Sequence, residues 1–78
     1  MNVKHYAEGR LYEPVNVIRD WELNFNLGSA VKYIARLGRK GTYKDALNDI
    51  TKAIDYLEDE RWNMRIAHMQ EIMEEENK

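Results

Sequence analysis

From Thr42 to Lys78 the chain contains neither glycine nor proline. That absence constrains the fold more than any other feature, because nothing in this stretch forces the backbone out of a helix. Thr42 with Asp45 three residues on resembles a capping box, although Asp is shorter than the usual Glu. Tyr43, Ala46, Leu47, Ile50, Ala53, Ile54 and Leu57 then recur at helical spacing. The pattern predicts one helix to about Glu75, spanning ~50 Å at ~1.5 Å per residue. Its apolar register shifts part-way. The first stripe would continue through Arg61, Met64 and His68, whereas a second appears at Trp62, Ile66, Met69 and Met73. Steps of four, three and four residues are those of a coiled-coil seam. The expectation is that the first half packs the domain and the second half meets another subunit. The alternative is a fourth helix folding back after a turn near Asp59 to Trp62.

Two shorter helices are expected upstream. Pro14, the one proline, suits a first-turn position that needs no N–H donor. Val15, Ile18 and Trp21 then give an apolar face, with Val17 widening it, and the helix is placed from about Pro14 to Trp21. The segment Glu22 to Asn26 breaks it, since asparagines favour turns and caps. Asn26 is read as the N-cap of a second helix that runs to Leu37 and closes at Gly38 in the left-handed C′ position. Leu27, Ala30, Val31 and Ile34 form its buried stripe. Gly28 costs ~1 kcal/mol against alanine in such a helix, so close approach by another backbone or a ligand is expected there. The fold class is therefore all-α: a short helix, a second helix and a long C-terminal helix.

A chain of 78 residues is one small domain, 1–78. At this size only ~60% of the unfolded surface is buried, and staples, metal or oligomerisation usually assist. Cysteine is absent and only two histidines, His5 and His68, are present, so disulfides are excluded and no zinc site is expected. Self-association remains, and a helical homo-oligomer is expected, with residues 61–78 as the helical extension that makes the contact. No apolar run approaches ~18 residues and the first residues lack a signal-peptide core, so a cytoplasmic chain without a membrane partner is expected.

The net charge of −2 provides no global field for long nucleic acid. Split at Gly41, however, the first part carries seven basic and four acidic residues, and the second part five basic and ten acidic. No acid stands between Glu22 and Asp45, a stretch that holds Lys32, Arg36, Arg39, Lys40 and Lys44. A local basic patch on an acidic chain points to a small anion.

The best local site is Gly38 to Thr42, a glycine-rich turn at a helix N-terminus where free N–H groups and the positive dipole end favour phosphate. The competing reading is a C-cap glycine followed by a solvated basic turn. It is not a Walker A loop, whose G-x-x-x-x-G-K-[ST] pattern occurs nowhere. His5 offers a phosphate contact or an acid–base group. Tyr6, Tyr12, Tyr33 and Tyr43 are either base-stacking surfaces or core edge. Asp45 with Asp49, and Asp55 with Asp59, share helix faces and suit either water-mediated Mg²⁺ or, as the preferred reading, a solvated face. No Ser-His-Asp or equivalent nucleophile is recognisable.

His5-Tyr6, Glu13 to Ile18, the block Leu23 to Gly41 and Lys52 to Glu58 together resemble a phage small-protein family, described as SaV-like or as a domain of unknown function shared with phage nucleotide kinases. The resemblance covers residues 5–60, and its most specific parts are the asparagine-rich turn, the Lys-Tyr-Ile-Ala-Arg helix and the Gly-Arg-Lys-Gly loop. Asn16 stands where the family often has aspartate, and Ser29 where it often has asparagine. The resemblance implies a phage protein that handles nucleotides in an infected host cell, and it selects His5, Asn24, Asn26, Lys32, Arg36, Arg39 and Lys40 as ligand-binding positions, to which Tyr6 and Tyr33 are added as tyrosines able to stack on a base. Three functions are then expected in turn. The first is sequestration of a nucleotide-type host immune signal, without cofactor or metal. The second is a dTMP/dGMP kinase using ATP and Mg²⁺. The third is an inhibitor docking a host protein through its long helix.

Overall fold

The computed structural model describes residues 11–37, 39 and 41–77. Among them there are three helices and no strand: α1 (Pro14–Asp20), α2 (Phe25–Arg36) and α3 (Tyr43–Glu76). No helix is long and apolar enough to cross a membrane among the described residues.

Pro14 occupies the first turn of α1, and the Glu13 carbonyl accepts from the N–H groups of Asn16 and Val17. The helix is stopped by backbone geometry. Glu22 adopts a left-handed φ of 54°, its N–H donates to the Arg19 carbonyl, and the Leu23 N–H reaches back to the Ile18 carbonyl. This is a Schellman closure with glutamate where glycine is usual. Asn24 then caps α2: its backbone is extended and its side-chain oxygen accepts from the Leu27 N–H at 2.9 Å. The cap is thus two residues earlier than the expected Asn26, which lies inside the first turn. The amide of Asn26 instead donates to Asp59 across the helix pair. Gly28 is buried, and a Cβ there would lie 3.1 Å from Ile18 Cγ2. The close neighbour is a side chain of α1, where another backbone or a ligand was expected. The expected closure at Gly38 lies outside the described residues.

Gly41 has φ +85°, and a Cβ would run into the Asp45 carboxylate. That carboxylate completes the capping box of α3. The Thr42 N–H donates to Asp45 Oδ2 at 2.9 Å, and the Asp45 N–H donates to Thr42 Oγ1 at 3.3 Å. The helix continues for 34 residues to Glu76, without a turn between Asp59 and Trp62.

Helices α2 and α3 run antiparallel. Near the start of α2, Asn24 and Asn26 donate to Glu60 and Asp59 at 2.9 and 2.8 Å, and near its end Arg36 faces Asp49 at 3.7 Å. Between these ends, Ala30 and Ala53 are the buried hydrophobic residues, each 2% exposed. Tyr56 is wedged between Phe25, edge-on at 5.8 Å between ring centres, and Tyr33, stacked at 5.9 Å.

This packing corrects the expected stripe of α3. Ala53 faces α2 and Ala46 is half-buried, whereas Tyr43, Leu47, Ile50, Ile54 and Leu57 are exposed. The side that meets α2 is Asp49, Ala53, Tyr56 and Glu60. Alanines let the two axes approach closely, and the aromatic and amide groups around them interlock only on that side. On α2, Ile34 is likewise exposed, while Leu27 and Val31 are half-buried.

Candidate functional site

Among the described residues, two clefts border the helix hairpin. The larger, about 880 Å³, lies between the start of α1, the second half of α2, the α2–α3 turn and the first turns of α3. Lys32 and Arg36, one helical turn apart on α2, line it together with Arg39 of the turn. Spacing explains part of this convergence, since residues four apart share a helix face. Antiparallel pairing explains the rest, because it folds the turn and Asp45, Asn48 and Asp49 of α3 back against that face. Pro14, Val15 and Ile18 of α1 form an apolar wall.

The cations do not stand alone. Asp49 is 7% exposed and its Oδ1 lies 3.7 Å from Arg36 Nε, so the expectation of a solvated face fails at this residue. Burial of a carboxylate beside a guanidinium is the normal compensation for desolvation. Arg36 in turn lies over the Tyr33 ring, 5.6 Å from its centre, while its side chain stays 69% exposed to the cleft. Asp45 is committed to the capping box. Its carboxylate takes the Thr42 N–H and lies 3.2 Å from Thr42 Oγ1. The dipole end of α3 is therefore already served by an internal carboxylate, and the Thr42 and Asp45 N–H groups that a bare phosphate cradle would offer are used.

The smaller cleft, about 560 Å³, lies at the other end of the hairpin. Asn24 and Asn26 line it opposite Asp55, Asp59 and Glu60, with Lys52 and Asn63 beside them. Two of the nine expected ligand positions thus fall at an acidic site remote from the basic one, and their amides are spent on helix capping and on the α2–α3 seam. Tyr33 lines neither cleft and packs on Tyr56. Trp21, Tyr12 and Tyr43 are exposed and line neither cleft. His5, Tyr6 and Lys40 lie outside the described residues. The basic cleft also holds Glu13, Asn48 and Asp49, which the sequence reading did not select. For Asp49 a signal was present, its four-residue spacing from Asp45, but spacing cannot tell a solvated carboxylate from one turned under a neighbouring helix. No group of three or more His, Cys, Asp or Glu side chains suited to a metal ion occurs among the described residues.

The model of the family described as a protein of unknown function, DUF3310, matches residues 1–58. The chain belongs to the DUF3310 family. No curated protein and no solved structure matches it. The DUF3310 match includes the whole basic cleft and ends within α3, so α3 from residue 59 onward lies beyond it.

Proposed function

We infer that this DUF3310 protein is a self-associating binding module that holds a nucleotide-type small molecule in the basic cleft and does no chemistry on it. The observation that carries this reading is the convergence of Lys32, Arg36 and Arg39 on one cleft of about 880 Å³, within the ~300–1,000 Å³ range of small-molecule sites. Phosphate oxygens are bound by Lys32 and Arg36, whose charge is what a polyanion needs. Asn48 and the acidic groups on the α3 side suit sugar hydroxyls and base amines, which donate hydrogen bonds. The apolar wall of Pro14, Val15 and Ile18 covers the base. In a phage protein such a module would sequester a nucleotide signal of the infected host cell, in the cytoplasm.

A second reading is a nucleoside monophosphate kinase. Asp45 and Asp49 border the same cleft as the cations, and carboxylates opposite phosphate-binding cations are what Mg²⁺-assisted phosphoryl transfer uses. The test is purified protein against mononucleotides, cyclic dinucleotides and cyclic ADP-ribose-type compounds, read by thermal shift and then by chromatography of the re-extracted ligand. A shift with ligand returned intact, lost in Arg36→Ala, is the expected result. Conversion of dTMP or dGMP only with ATP and Mg²⁺ establishes the kinase instead. Silence across the panel refutes both and favours a host protein docking on α3.

A further inference from the structure

The hairpin leaves its branched aliphatic residues uncovered on one face. Ile34 on α2 and Leu47, Ile50, Ile54 and Leu57 on α3 are each between 40% and 51% exposed. At ~3.6 residues per turn the four α3 residues fall within an arc of about 80°, adjacent to the side that meets α2. Ile34 occupies the same flank of α2, so antiparallel pairing sets the two rows side by side. Asp45 and Asn48, which line the basic cleft, lie on the opposite flank of α3.

We propose that this face is closed by a second copy of the chain, with the two α3 helices antiparallel about a two-fold axis level with Lys52. Two observations point to a like partner. The first is the spacing. Leu47, Ile50, Ile54 and Leu57 read Leu-Ile-Ile-Leu at steps of three, four and three, the same in both directions. Reversed on itself, the row sets Leu47 against the partner's Leu57 and Ile50 against the partner's Ile54, each at one level along the axis. An isologous contact requires that self-complementarity.

The second is charge. Lys44, Thr51 and Glu58 border the row at seven-residue steps. The same two-fold brings Thr51 within about 3 Å, along the axis, of its own copy and Lys44 equally near the partner's Glu58. Within one chain Lys44 and Glu58 are ~21 Å apart along the helix, so neither can serve the other. Thr51 brings no unsatisfied hydroxyl to the axis, because its Oγ1 donates to the Leu47 carbonyl at 2.8 Å.

The proposal gives the self-association inferred above a surface and a register, and rests on that association alone. No nucleotide enters the test, so its failure and the failure of ligand binding are read separately. Light scattering on the full chain is expected to give twice 9.3 kDa, or a multiple built from that pair. Ile54→Glu is expected to give a monomer that keeps its helical circular dichroism, whereas Trp62→Glu stays associated. The chain has no cysteine, so a mixture of Leu47→Cys and Leu57→Cys proteins is expected to form the mixed disulfide under mild oxidation, while neither variant cross-links to itself. A monomeric wild-type chain overturns the proposal. So does a pairing lost in Trp62→Glu but kept in Ile54→Glu. Where both or neither variant dissociates, the disulfide decides: the mixed product upholds the antiparallel register, and its absence, or like-with-like products from each variant alone, overturns it.

Discussion

Replacing Glu22 by glycine is expected to stabilise the protein, although it removes a charged side chain and adds nothing. Glu22 sits at φ 54°, the closing residue of the α1 Schellman turn. A side chain in that region costs ~1–2 kcal/mol, from the contact between Cβ and the following carbonyl. Glycine lifts that strain but has more freedom to lose on folding, ~0.5–1 kcal/mol. The difference is a gain of roughly 0.5–1 kcal/mol. The Glu22 side chain is exposed and makes no hydrogen bond or ion pair with the described residues, so no side-chain contact is subtracted. For a domain of this size ~1 kcal/mol corresponds to about 4–8 °C in Tm, which places the expected rise at about 2–8 °C. The assay is thermal unfolding followed by circular dichroism, at one fixed protein concentration, since the proposed self-association would make Tm concentration-dependent. Glu22→Ala is the control, since alanine keeps the Cβ and the strain. A glycine variant that melts at or below the wild-type temperature, or an alanine variant that rises equally, refutes the argument from backbone strain.

Asn24→Ala removes both the α2 cap and the bond to Glu60, and is expected to lower the urea unfolding free energy by ~1–2 kcal/mol. Asn26→Ala, which leaves the cap intact, should cost less in the same experiment. Gly28→Leu has no room beside Ile18 at 3.1 Å and is expected to destabilise by ~1–3 kcal/mol, measured as a lowered urea midpoint. Arg36→Ala separates function from stability. Its ion pair with Asp49 is 3.7 Å long and its side chain 69% exposed, so the loss of stability is expected to stay below ~1 kcal/mol, while nucleotide-induced thermal shift disappears. A large stability loss in that variant would show that Arg36 serves Asp49 rather than a ligand.

The local signals in the chain were sufficient for its helices. Pro14 at the start of α1, Thr42 with Asp45 at the start of α3 and the unbroken run after Gly41 each act within a few residues, because capping and breaking are matters of neighbouring N–H groups and dihedral angles. The one cap misplaced, at Asn26, shows the limit. Asn24 and Asn26 carry the same side chain and both reach α3, at Glu60 and Asp59, yet only Asn24 also caps α2.

The basic cleft was half legible for the same reason. Lys32 and Arg36 share a face by periodicity alone, whereas Asp49 joins them only because α3 doubles back. Periodicity identifies an apolar stripe without saying what covers it. On α3 the Leu-Ile-Ile-Leu row is the stronger stripe by hydrophobicity, yet α2 packs on the neighbouring alanine and tyrosine side. Small residues allow the closest approach of two helices, and the rings of Phe25, Tyr33 and Tyr56 fit around that contact. Helix existence and length were thus set by the sequence itself. Which faces meet, which carboxylate is buried and which apolar row is left uncovered were decided by the tertiary structure, since shape fit between elements distant in the chain has no local signature.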